Sequence, residues 1–210
     1  MEQDKLNSEA EKKQIRSSKV VGGFILLVLM ALGGTLGKEF VENLFKTSPK
    51  ISDNTSNWNR RQISNTGIAI ETPFELHQTA LKYPEEYMAS IQETFACQYA
   101  STPLSVDINY IIYKAKIEKS VDVAAEEVVS NMKKLEGIEN FSYKISGITK
   151  QGLNGRIIEC TFSITNRQAA FVQLLFVDNN KLWNIFFRYL NNEDNKNTVD
   201  RIINSVEITL

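Results

Sequence analysis

One feature limits this 210-residue chain before any other: residues 20–36 read VVGGFILLVLMALGGTL, seventeen positions without a charge, bounded by Lys19 and Lys38. As a helix rising about 1.5 Å per residue the run covers about 25 Å, somewhat short of a hydrocarbon core of roughly 30 Å. The lysines at its ends can extend their ammonium groups to the interfaces and make up the difference. A soluble core helix would keep one polar face, and this run has none, so the expectation is a transmembrane helix. Lys12, Lys13, Arg16 and Lys19 crowd its N-terminal flank, whereas Lys38 and Lys46 are accompanied by Glu39 and Glu42 on the other side. The positive-inside rule then puts residues 1–19 in the cytoplasm as a tail and everything after the span outside it, and the compact length without a disulfide-rich pattern suggests a bacterial cell envelope.

The leading 19 residues and the length of the run favour an uncleaved signal-anchor, although Thr35 and Gly37 also suit the −3 and −1 positions of a cleavage site. Gly33 and Gly37 form a G-x-x-x-G pair that would allow close helix packing and a homodimer through the membrane. Residues 37–57 follow as a juxtamembrane helix, with Phe40, Val41, Leu44 and Phe45 at helical spacing, and then a polar linker rich in Ser, Thr and Asn.

Residues 58–210 have the length of one globular domain. Overall charge is balanced, with 24 basic and 25 acidic side chains, which argues against a dedicated nucleic-acid binder. Within the domain, Gly67–Glu71 alternates as a strand, Pro84–Gln92 opens like a short helix, and Glu93–Ala100 with Leu104–Lys114 reads as a hairpin. Ser120–Leu135 carries an N-cap serine, an acid in the first turn and apolar residues at Val121, Ala124, Ala125, Val128, Met132 and Leu135, one helix face. Phe141–Thr149, Arg156–Thr165, Ala169–Val177 and Lys181–Leu190 follow as four strands separated by short turns, Asn154–Gly155 being the sharpest turn signal. The last two strands are apolar on both faces, so both faces need cover. Ser120–Leu135 and a second helix, Glu193–Ser205, are the available covers, with Val206–Leu210 as a short final strand. The expected class is α+β: a transmembrane helix, then a three-layer α/β/α sandwich around one central antiparallel sheet.

GIAIETPFEL from Gly67, SVDVAAEEVVSNMKKLEGIENF from Ser120, GLNGRIIECTF from Gly152, NKLWNIFFRY from Asn180 and DRIINSVEI from Asp200 resemble, in order and spacing, the PsbP-like superfamily. That superfamily spans photosystem extrinsic subunits, Mog-type Ran-binding factors and DcrB-like bacterial envelope proteins, and the likeness runs from about Gly67 to Leu210. It implies the same α/β/α sandwich and roles in binding or assembly more often than catalysis. The N-terminal apolar run departs from the plant subunits and the import factors, and no functional residue carries over.

Residues with chemical capability are few. His77 is the only histidine, which disfavours a histidine-built metal site or triad and reads as a surface residue. Cys97 and Cys160 each alternate with apolar neighbours and look core-facing, and outside the cytoplasm they could form a disulfide. Glu85–Glu86 and Glu126–Glu127 are adjacent on helices and diverge by about 100°, so neither pair presents two carboxylates to one site. Ser105, Asp107 and Asn109 share a strand face and read as a polar sheet edge. No phosphate loop, nucleophile elbow or zinc motif occurs, so no catalytic, cofactor or metal residue is designated. The expected function is a non-catalytic, membrane-anchored extracytoplasmic binding module with a protein partner at the membrane. Two alternatives stay open: an envelope hydrolase using Asp107 or a carboxylate near His77, and a small-ligand or lipid carrier with a cavity between sheet and helix.

Overall fold

The computed structural model describes residues 58–80, 85–101, 103–135, 137–164 and 166–210. The apolar run, the Gly33–Gly37 pair and the juxtamembrane segment therefore lie outside the described residues. No helix among the described residues is long and apolar enough to cross a membrane.

The elements in chain order are β1 (Asn59–Ile63), β2 (Ile68–Thr72), β3 (His77–Thr79), α1 (Glu85–Met88), β4 (Ile91–Ala100), β5 (Leu104–Tyr113), α2 (Val121–Met132), β6 (Glu139–Lys150), β7 (Leu153–Ile164), β8 (Arg167–Asp178), β9 (Lys181–Leu190), α3 (Glu193–Ser205) and β10 (Glu207–Ile208). Seven strands form one antiparallel sheet in the order β3-β4-β5-β9-β8-β7-β6. The expected meander of four strands is present as β6 to β9, and β5 closes onto β9 to join it to the β4–β5 hairpin.

A single sheet was expected, and there are two. β1, β2 and β10 make a separate three-stranded sheet. It packs over one face of the large sheet, since Ile63, Ile68, Ile70 and Ile208 share a core with Val106, Phe176, Trp183 and Phe187. Trp183 fixes the two sheets together: its indole Nε1 donates to the Thr66 carbonyl at 2.7 Å, and Thr66 sits in the turn between β1 and β2.

α2 and α3 cover opposite faces, as the doubly apolar strands require. Val128, Met132 and their helix neighbours pack with Ile158, Phe162, Phe171, Leu175 and Phe186. Val199, Ile202 and Ile203 of α3 join the other core. Ser120 caps α2 with extended backbone, its hydroxyl accepting from the Val123 N–H, and Asn192 caps α3 in the same way. α2 ends at Met132, shorter than expected. Pro84–Gln92 was expected as helix, but helix is confined to Glu85–Met88, and Ile91 already belongs to β4 and is buried.

The β6–β7 turn is also displaced from its sequence signal. It falls at Gln151–Gly152, both at positive φ, while Asn154 and Gly155 lie inside the ladder. Gly155 is needed there for a different reason: a Cβ on it would lie 2.4 Å from the Phe176 ring. The glycine makes room for a core aromatic rather than a turn.

Candidate functional site

The chemically capable residues separate onto the two faces of the large sheet. On the α2 face, three central strands carry a belt of polar side chains. β5 contributes Ser105, Asp107 and Asn109, β9 contributes Asn184 and Arg188, and β8 contributes Gln173. These positions follow from strand alternation, because Ile111, Leu182, Phe186, Phe171 and Leu175, at even spacing from them, all belong to the α2-side core.

The expectation that Ser105, Asp107 and Asn109 line a sheet edge is overturned. β5 is an interior strand between β4 and β9, and Asp107 is 4% exposed. Its carboxylate accepts from an Arg188 Nη at 2.6 Å. Burial pushes the Asp107 carboxyl up from its ordinary range, and the neighbouring Arg188 charge and hydrogen bond oppose that. Asn109 and Asn184 face each other across the β5–β9 ladder, and Gln173 Nε2 donates to Asn184 Oδ1 at 2.7 Å. All three amides are 0–1% exposed, yet Asn109 Nδ2, Asn184 Nδ2 and Gln173 Oε1 have no partner. The Asp107–Arg188 pair joins β5 to β9, and the Gln173–Asn184 bond joins β8 to β9.

The α3 face of the same strands is apolar and aromatic along their central parts. Leu104, Val106, Ile108 and Tyr110 of β5 stand beside Trp183, Ile185, Phe187 and Tyr189 of β9 and Val172, Leu174 and Phe176 of β8. A concave region lies toward the β3–β4 margin. There a cavity of about 310 Å³ lies between the small sheet and the large one, lined by Arg61, Gln62, Ile63, Ser64, Leu76, Gln78, Phe95 and Cys97. Ile63 and Cys97 are buried and give it an apolar floor, and Gln62, Ser64 and Gln78 are exposed at its rim. Among the described residues Arg61 is the one charged lining side chain. It shares a face of β1 with buried Ile63, and its Nε is buried with no partner.

The two cysteines are free thiols. Cys97 lies on β4 and belongs to the α3-side core, whereas Cys160 lies on β7 and belongs to the α2-side core. Four strand spacings separate β4 from β7, about 19 Å, against the roughly 7 Å limit for bridged Cα atoms. The disulfide entertained from the sequence is therefore not made. Burial pushes both thiols up to about 12, with Asp107 adding to the effect at Cys97 and Glu159 at Cys160.

The remaining candidates stand apart from one another. His77 begins β3, an edge strand, and is exposed, a surface position as expected. Glu127 is paired with Lys119 at 2.6 Å, while Glu126 is exposed on α2. The backbones of Glu85 and Glu86 form α1. Among the described residues no three His, Cys, Asp or Glu side chains gather as a metal site. Sequence reasoning passed over Gln173, Asn184, Arg188 and Arg61. For the first two a signal was present: a lone amide inside a strand apolar on both faces, as in FVQLLF and LWNIFF, must be buried. Arg61 had no such signal, because its cleft arises only when β1 is brought against β3 and β4.

No family model matches the chain, and no curated protein matches it by sequence. Among solved structures it is similar to LpqN of Mycobacterium tuberculosis, a protein involved in cell envelope biogenesis, at 13% identity and a TM-score of 0.48, over 78% of this chain and 99% of that one. It is also similar to the Ran-binding protein Mog1p of Saccharomyces cerevisiae at 9% identity and a TM-score of 0.46, over 72% of this chain and 95% of that one.

Proposed function

We propose that residues 58–210 form a non-catalytic binding module, held on the outer side of a bacterial cell membrane by Val20–Leu36, where it engages a protein partner. The observation that carries this reading is the dispersal of reactive groups. The buried carboxylate Asp107 is held by Arg188, the two thiols lie in opposite cores with their ionisation suppressed, and His77 stands on an outer edge strand. A nucleophile, a base and a charge-stabilising donor need to converge within about 3 Å of one reacting atom, and these groups point to different places. A tether adds to binding what a site alone does not: it confines the module near the bilayer and raises its effective concentration for a membrane partner.

The test is crosslinked recovery of the full-length protein from its own membranes. A stoichiometric protein partner, lost when residues 1–57 are replaced, is the expected result. Absence of any partner, together with substrate turnover by the purified chain, contradicts the reading. Topology is checked separately by a reporter fused after Leu210 that is active only outside the cytoplasm.

A second reading has one observation in its favour. The cavity between the two sheets, at about 310 Å³, reaches the lower end of the range for small-ligand sites, which keeps a carrier role open.

A further inference from the structure

The geometry points to a specific ligand class for the cleft between the two sheets: we infer that it takes a small single-headed amphiphile, an anionic oxygen group on a short aliphatic chain, with Arg61 as the head-binding residue. The inference goes beyond the protein-partner reading and rests on the carrier reading of the same cavity.

Each part of the cleft matches one part of such a molecule. Ile63 and Cys97 are buried on its floor, and Leu76 and Phe95 pack against the same core, so one side of a mixed lining takes hydrocarbon. Among the described residues its one charged lining side chain is a cation, and no carboxylate lines it. The neighbouring cation, Arg60, is already paired with Glu207 on β10. Arg61 differs: among the described residues it forms no ion pair, and a guanidinium at the wall of a partly apolar cleft gains from an acceptor that enters with its own charge. Guanidinium presents a planar fork suited to both carboxylate and phosphate oxygens. Gln62, Ser64 and Gln78 at the rim supply neutral polar groups for the remaining head oxygens. The volume of about 310 Å³ accommodates a chain of fatty-acid type and excludes a folded macromolecule.

The chemistry is shared by a free carboxylate amphiphile and by the head region of an anionic phospholipid, and the experiment separates them. The full chain is placed in phosphatidylcholine nanodiscs and retention of radiolabelled decanoate is measured against empty discs. Saturable retention near one decanoate per chain is expected. It should fall about tenfold in Arg61→Ala, the scale of one charge-assisted hydrogen bond, and be partly kept in Arg61→Lys. Decanol, uncharged, should compete poorly. Dioleoyl phosphatidylglycerol added to the discs displaces decanoate if the lipid head is the natural source and leaves it bound if a free carboxylate is; either outcome supports the anionic-head assignment. Thermal melting of both variants, unchanged from the parent, keeps the result interpretable.

No saturable retention, equal retention in Arg61→Ala, or equal competition by decanol overturns the inference. Such a failure leaves recovery of a membrane protein partner unaffected, so it is distinguishable from failure of the module reading itself.

Discussion

The two faces of the large sheet use the same three strands for opposite purposes. On the α3 side, the central parts of β5, β9 and β8 present apolar and aromatic side chains, and a second sheet as well as a helix is laid over them. On the α2 side, the same strands present Asp107, Asn109, Gln173, Asn184 and Arg188 among the hydrophobic residues. Burial of hydrocarbon is non-directional and scales with area, so both cores supply stability, the α3-side core without a buried polar belt. Buried hydrogen bonds and ion pairs contribute less net stability but are exacting about geometry. On the α2 face such contacts join β5 to β9 through Asp107–Arg188 and β8 to β9 through Gln173–Asn184. The lesson is that a buried carboxylate beside an arginine, a common sign of catalysis, can be a component of sheet architecture.

The comparison can be broken most severely on the apolar side. Phe176 is fully buried there, and Phe176→Ala should lower unfolding stability by about 3–5 kcal/mol in a denaturant melt. A loss under about 1 kcal/mol would mean that this face does not carry the stability assigned to it.

On the polar side the decisive quantity is a difference. Arg188→Met alone leaves Asp107 buried and uncompensated and should cost about 3 kcal/mol. Adding Asp107→Leu should recover most of that loss, because two apolar residues replace the pair. If the double variant is as unstable as the single one, the pair does more than compensate itself.

Ionisation of the thiols sharpens the comparison, since one lies in each core. In the unfolded chain they lose protons near 9.0, whereas in the folded chain burial holds them until about 12. Between those values the unfolded state binds fewer protons than the folded state, so stability falls as pH rises from 9 toward 12. By pH 10.5 each thiol should contribute a loss of about 2 kcal/mol. Tyr189, also pushed up to about 12, adds to the alkaline loss. Urea melts from pH 8 to 10.5 on the parent and on Cys97→Ala and Cys160→Ala should show each substitution removing a similar share of the decline.

The smallest effect is expected within the amides. Asn109→Leu removes a buried Nδ2 that has no partner and should change stability by less than about 1 kcal/mol. Asn184→Leu should cost more, because it strands the Gln173 Nε2 that donates to Asn184 Oδ1. Equal effects at the two positions would remove the distinction.

What the sequence made legible follows the range of the interactions involved. β6 to β9, α2 and α3 were readable because their patterns are local: unbroken apolarity in FVQLLF and LWNIFF, and one-sided apolarity after Ser120. β1, with the polar sequence NRRQI, and the three-residue β3 have no such pattern, and β10 pairs with β2 across most of the domain. Those elements exist because of the surface they lie against. The same reason hid the cleft, three of whose walls are β1, β3 and β4. Asn154–Gly155 misled in the other direction: a dipeptide that usually turns the chain is here a gap for the Phe176 ring.

The central claim is that the ionisable groups of the α2 face serve the fold and that function is binding elsewhere on the module. The most direct measurement takes the full-length double variant Asp107→Leu with Arg188→Met, confirms its melting temperature, and repeats the crosslinked recovery from native membranes. The account predicts a folded protein that recovers the same partner at the same stoichiometry as the parent. A double variant that melts like the parent yet recovers no partner would contradict it, placing the function at Asp107 and Arg188 after all.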